Sequence, residues 1–204
     1  MSLLWLLLIP TIGAVAIAAC PRERPRAAKW VFGVAAGLVL LWVAVLVGWF
    51  QTSAGAQWTV RLEWLEEPWP VAWELGVDGF NLFFLGLTAL FTLLSGIASF
   101  DREDDGRGLL GLLLLLEAAT LGLFLAQDLI SFYIFWDLML VPPFLLMLGW
   151  GGEARRQAAW RYILYNGAGG LALLLSIVAV GAAGHGFQLS ALWGGTLEAG
   201  GGAA

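Results

Sequence analysis

The chain has 204 residues, 60% of them hydrophobic and only 12% charged, with a mean hydropathy of +0.85. This composition excludes an ordinary soluble globular domain and makes lipid the expected solvent. The formal charge of −5 does not point to nucleic acid, because the acids sit in short polar stretches and no broad basic face accompanies them.

Crossing a hydrocarbon core of roughly 30 Å takes about 20 mostly apolar residues at a rise of about 1.5 Å each. Six stretches qualify. They run from Ser2 to Cys20, Ala28 to Phe50, Phe80 to Phe100, Leu109 to Ala126, Leu129 to Trp150 and Trp160 to Ala183. Barrel strands would be shorter and would alternate polar with apolar, so the expected fold is an all-α polytopic transmembrane helix bundle. Its organisation reads as two N-terminal spans (1–50), a polar connection (51–78), four further spans (79–190) and a Gly/Ala-rich tail (191–204).

The first span ends in Ile17-Ala18-Ala19-Cys20, similar to a lipoprotein cleavage box, but no positive charge precedes it. The basic cluster Arg22, Arg24, Arg26 and Lys29 follows instead, which favours a retained span with its N-terminus outside. Arg102 and Arg107 after span three, and Arg155, Arg156 and Arg161 after span five, fall on that same cytoplasmic side. Trp30, Trp49, Trp150 and Trp160 lie near span ends, as expected of headgroup-level anchors. Cys20 is the only cysteine, so neither an internal disulfide nor a Cys/His metal set is available.

Between Gln51 and Asp78, the alternation in Trp58-Thr59-Val60-Arg61-Leu62 before Pro68 and Pro70 predicts a small extracytoplasmic hairpin or an irregular cap. Asp78 is placed to cap span three and Asp128 to cap span five.

Two acids fall inside apolar runs: Glu117 in span four and Asp137 in span five. An ionised Asp near the bilayer centre costs about 2.5–3.5 kcal/mol on the insertion scale, so such side chains face a bundle interior or a hydrated cavity. Counted from the span ends, the two depths differ by about 6 Å. Proton exchange between them through one or two waters is therefore the expectation; the plainer alternative is a pair of acids that lock helices together. Pro142 and Pro143 lack N–H groups and free the carbonyls of Leu138 and Met139 beside Asp137, which predicts a kinked, hydrated spot. Arg161 is the nearest basic candidate for coupling to these acids, or else snorkels to the interface. His185, in Gly184-His185-Gly186, reads as an outer-surface loop residue.

The segment from Glu117 to Gly170 resembles the antiporter-like subunits in the membrane arm of respiratory complex I, the subunit M (chain 4) type in particular. The resemblance rests on Glu117, on Phe124-Leu125-Ala126-Gln127-Asp128-Leu129, on Phe132 to Pro142 around Trp136-Asp137-Leu138-Met139, and on Leu164-Tyr165-Asn166-Gly167-Ala168-Gly169. Leu75-Gly76-Val77-Asp78-Gly79 is similar to the family's entry to span three. It implies proton translocation coupled to electron transfer to quinone in a bacterial inner membrane, with other membrane-arm subunits as partners and no cofactor or catalytic centre in this chain. It also implies that Asp137 stands at the family's span-five Glu, one methylene shorter, which there pairs with a Lys on span seven. Arg161 falls where the family often has Lys. Family members have about fourteen spans in inverted repeats, so a chain of six is expected to be a truncated or split portion, completed by a separate chain and unable to conduct protons alone. A multisubunit cation/proton antiporter subunit and a purely structural membrane subunit remain alternatives.

Overall fold

A computed structural model describes residues 3–21, 24–51, 56–65, 71–101, 106–182 and 187–189. His185, Arg22, Arg102 and the Gly/Ala tail lie outside the described residues. Among the described residues six helices occur, in the order α1 (Leu4–Ala19), α2 (Pro25–Trp49), α3 (Gly79–Ala98), α4 (Gly106–Leu125), α5 (Leu129–Trp150) and α6 (Arg155–Ala182). A two-stranded antiparallel hairpin, β1 (Gln57–Leu65) and β2 (Val71–Val77), separates α2 from α3. Five helices, α2 to α6, are long and apolar enough to cross a membrane. Helix α1 is apolar but has 16 residues, about 24 Å, and so is shorter than the span expected between Ser2 and Cys20. Pro10 lies within it.

The other boundaries shift for local reasons. Pro25 opens α2 at the first helical position, where a missing N–H costs nothing. Helix α6 starts at Arg155, five residues before the expected Trp160, because Arg155-Arg156-Gln157-Ala158-Ala159 are good helix formers that need no lipid. Asp78 caps α3 in a reciprocal box. Its Oδ1 accepts from the backbone N–H groups of Phe80 and Asn81, both at 2.8 Å, while Asn81 Oδ1 accepts from Asp78 N–H at 2.9 Å. Asn81 Nδ2 then donates to the carbonyls of Gly76 and Phe124, each at 3.0 Å, joining the start of α3 to the end of α4.

Helix α4 is the centre of the bundle and touches α1, α2, α3 and α5, whereas α6 packs mainly on α5, with Phe187 against its Gly181. The sequence of α4, Gly-Leu-Leu-Leu-Leu-Leu-Glu-Ala-Ala-Thr-Leu-Gly from Gly111 to Gly122, is apolar nearly all round, as suits a helix with neighbours on several sides. Close approach is achieved with small residues: the Phe135 ring of α5 lies where a Cβ on Gly122 would be, 2.2 Å from its nearest atom. Large apolar side chains such as Val15, Leu41, Phe83 and Leu175 point outward around the bundle, the surface a lipid-embedded protein presents.

The three basic loops gather at one end. Lys29 donates to the Phe100 carbonyl, Arg107 donates to the Cys20 carbonyl, and Trp150 packs on Gly108. Trp150 thus turns onto a neighbouring helix, while Trp30, Trp49 and Trp160 stay exposed as interface anchors would. The hairpin covers the opposite end, where Leu75 and Val77 bury with Leu3, Leu6, Leu46, Leu82 and Leu125. Trp58, at the bulge in β1, has a φ of 52°, in the left-handed region that an aromatic residue seldom occupies.

The turn between α4 and α5 is held between β2 and residues 187–189. Gln127 N–H donates to Glu74 O at 2.8 Å, Leu129 N–H to Phe187 O at 2.9 Å, and Leu189 N–H to Gln127 O at 3.2 Å. Asp128, 1% exposed, caps α5 by accepting from Ile130 and Ser131 N–H at 3.0 and 2.8 Å. Its second oxygen accepts from the Ser131 hydroxyl and, at 2.9 Å, from Glu74 N–H. The predicted cap is therefore also a cross-link to the hairpin.

Candidate functional site

Glu117 lies on the central helix and is 1% exposed. Neither carboxylate oxygen has a hydrogen-bond partner among the described residues. A buried polar group left unpaired in this way is uncommon in native proteins and calls for a functional account. Glu117 lines a groove of about 350 Å³ between α3 and α4. The facing wall carries Thr88, Thr92 and Ser95, spaced four and three residues apart and thus aligned along one face of α3. Thr120, one turn from Glu117, adds a fourth hydroxyl, although it donates to Leu116 O at 2.8 Å. The sequence reading missed this row. Its signal was three hydroxyls at helical spacing in an otherwise apolar span.

Asp137 occupies a different interface. A Cβ on Gly170 of α6 would stand 2.9 Å from Asp137 Oδ1, so the carboxylate rests directly against the α6 backbone. Gly170, itself buried, makes the space for it. The Tyr133 phenol, one turn before Asp137, lies beside the same carboxylate. Tyr133 was also missed, though its spacing four residues before the acid was readable. The Trp136 indole N–H next to it is buried and, like Glu117, has no partner among the described residues.

These placements separate the two acids. Phe135 faces Gly122 of α4, and two residues further along a helix is a rotation of about 200°. Asp137 therefore lies on the side of α5 turned away from α4, while Glu117 lines the α3 side of α4. The expected exchange of protons through one or two waters does not fit this geometry, because α5 itself stands between Asp137 and α4. Distance along a helix says nothing of the direction in which a side chain leaves it, which is set by rotation about the axis.

Arg161 is exposed in the second turn of α6. Nine residues separate it from Gly170, about 13 Å along the axis and about two and a half turns, so it projects from the opposite side of α6. Arg161 and Asp137 are not brought together. Pro142 and Pro143 lie within α5, which continues unbroken to Trp150. Pro142 is buried and Pro143 half-buried. Having no N–H, they leave the carbonyls of Leu138 and Met139, the two residues after Asp137, without their usual intrahelical donors.

Residues 126–193 match the family model of the NADH:quinone oxidoreductase/Mrp antiporter transmembrane region. Among curated proteins, the chain is 33% identical over 170 residues to NAD(P)H-quinone oxidoreductase chain 4 3 of Trichormus variabilis, covering 82% of this chain and 32% of that one. A chain in the structure of respiratory complex I from Thermus thermophilus superposes with a TM-score of 0.75 at 31% identity, covering 91% of this chain and 38% of that chain. A chain of the Mrp complex from Dietzia sp. shares the fold, with a TM-score of 0.71 at 24% identity over 90% of this chain and 20% of that one. The chain spans about a third of the length of the curated relatives it matches. It is a membrane protein, and on these matches it belongs to the antiporter-like membrane subunits of the NADH:quinone oxidoreductase/Mrp antiporter family.

Proposed function

We propose that this chain is a proton-translocating, non-redox membrane subunit of a complex I-like NADH-quinone oxidoreductase in a bacterial inner membrane. The observation that carries the proposal is Glu117: a carboxyl group 1% exposed, on the most enclosed helix, with neither oxygen paired among the described residues. Membrane interiors tolerate such a group where it takes up and releases protons or meets a partner. Asp137 against Gly170 is the second acid of the path. Because the two open on different interfaces, the proton passes between them by way of groups on further helices, whether from the same polypeptide or from a separate chain. Electron transfer and its cofactors belong to other subunits of the assembly, and the basic end of this bundle faces the cytoplasm.

The test is proton uptake into inverted membrane vesicles carrying the assembled complex, driven by NADH. Glu117→Gln and Asp137→Asn should each abolish acidification while the subunit still assembles; wild-type acidification in both variants would leave a structural subunit. The family's Mrp members support a second function, cation/proton antiport. Sodium-dependent proton exchange that persists when the quinone site is inhibited would select it.

A further inference from the structure

At the basic end of the bundle, residues of α2 and α3 line a groove of about 530 Å³ that is open to the outside. Nearby, the Phe32 ring of α2 lies where a Cβ on Gly96 of α3 would be, so the two helices touch closely there. The walls are Gly33 and Val34 from α2 and Leu93 and Ile97 from α3, and the mouth carries Arg26 and Lys29. From Arg26 to Val34 the groove follows α2 for about 12 Å. Among the described residues, none that lines it is acidic. Trp30, three-quarters exposed, stands at the mouth, where an amphipathic ring marks headgroup depth.

We infer that this groove binds an anionic phospholipid of the leaflet at the basic end, its phosphate on Arg26 and Lys29 and one acyl chain laid along Gly33 between α2 and α3. Charge complementarity selects the occupant. A purely apolar partner helix would leave Arg26 and Lys29 unmatched at the rim, whereas basic pockets between membrane helices suit anionic headgroups. Lys29 is already held in place: its ammonium donates to the Phe100 carbonyl and lies 5.9 Å from the Phe100 ring centroid. Arg26 is exposed and supplies the adjustable contact. Gly33 is what opens the channel, since a Cβ there would meet no atom within 4 Å. A larger side chain at Gly33 can therefore occupy the groove without disturbing the helices.

The chain is purified from membranes in mild detergent with whatever subunits accompany it, and bound lipid is counted by native mass spectrometry during titration with phosphatidylglycerol or phosphatidylcholine. Phosphatidylglycerol should be retained preferentially. Arg26→Gln should weaken it about five-fold, the loss of roughly one basic contact at the membrane surface, and Gly33→Leu should abolish retention while the thermal midpoint stays unchanged. Equal retention of the two lipids, or phosphatidylglycerol binding insensitive to both substitutions, would overturn the assignment. The second result is what an apolar partner helix seated in the groove would give. Competition by inorganic phosphate alone at the lipid's concentration would overturn it too, since the acyl chain would then contribute nothing.

Discussion

Replacing Asp128 by alanine tests whether the hairpin is welded to the bundle or merely rests on it. The carboxylate accepts four hydrogen bonds, from Ile130 N–H, Ser131 N–H, the Ser131 hydroxyl and Glu74 N–H. Losing an N-cap costs about 1 kcal/mol, and leaving the partly buried Glu74 N–H unpaired adds up to about 1–3 kcal/mol. The expected loss is thus about 2–4 kcal/mol, which for a chain of this size lowers the thermal midpoint by roughly 4–16 °C. Asp128→Asn keeps the acceptor oxygen and should lose less than half as much. Thermal unfolding in detergent measures the total, and amide hydrogen exchange locates it: Glu74 N–H should exchange faster in the alanine variant. A stable Asp128→Ala protein with unchanged Glu74 exchange would refute the cross-link and leave Asp128 a local cap only.

Four further outcomes are expected. Asn81→Ala removes bonds to the Gly76 and Phe124 carbonyls as well as the reciprocal cap, and should destabilise by about 2–3 kcal/mol in the same unfolding assay. Gly122→Ala drives a methyl group into the Phe135 ring, 2.2 Å away, and should cost about 1–3 kcal/mol by overpacking. Gly170→Ala puts a methyl group 2.9 Å from Asp137 Oδ1; vesicle acidification should fall, though less than in Asp137→Asn, with stability changed by under about 1 kcal/mol because the carboxylate can swing away. Arg161→Gln should leave acidification within about two-fold of wild type, since Arg161 sits about 13 Å along α6 from Gly170 and on its far side; a complete loss would show that another conformation joins Arg161 to the acids.

The helices were legible because each is a long apolar run, and the caps because Asp78 and Asp128 act on residues two and three positions away. The hairpin followed from its period-two alternation. What escaped was azimuth. Depth is a count along the chain, but which way Glu117 and Asp137 face depends on where Gly122 lets Phe135 in and where Gly170 admits a carboxylate. Those contacts join residues far apart in sequence and are set by packing rather than by local preference. The bond from Glu74 N–H to Asp128, spanning 54 positions, was hidden for the same reason. Tyr133 and the hydroxyls of α3 could have been found, had helical spacing been applied to polar as well as apolar residues.

The two ends of the bundle are fastened differently. At the hairpin, backbone amides and carbonyls from β2, the α4–α5 turn and residues 187–189 bond to one another; at the other end, the loops are bridged by the long side chains of Lys29 and Arg107. Main-chain bonds fix direction as well as distance, whereas a lysine or arginine tether has several rotatable joints and can follow a moving partner. Among the described residues, the fastening at the hairpin is accordingly the more directional of the two.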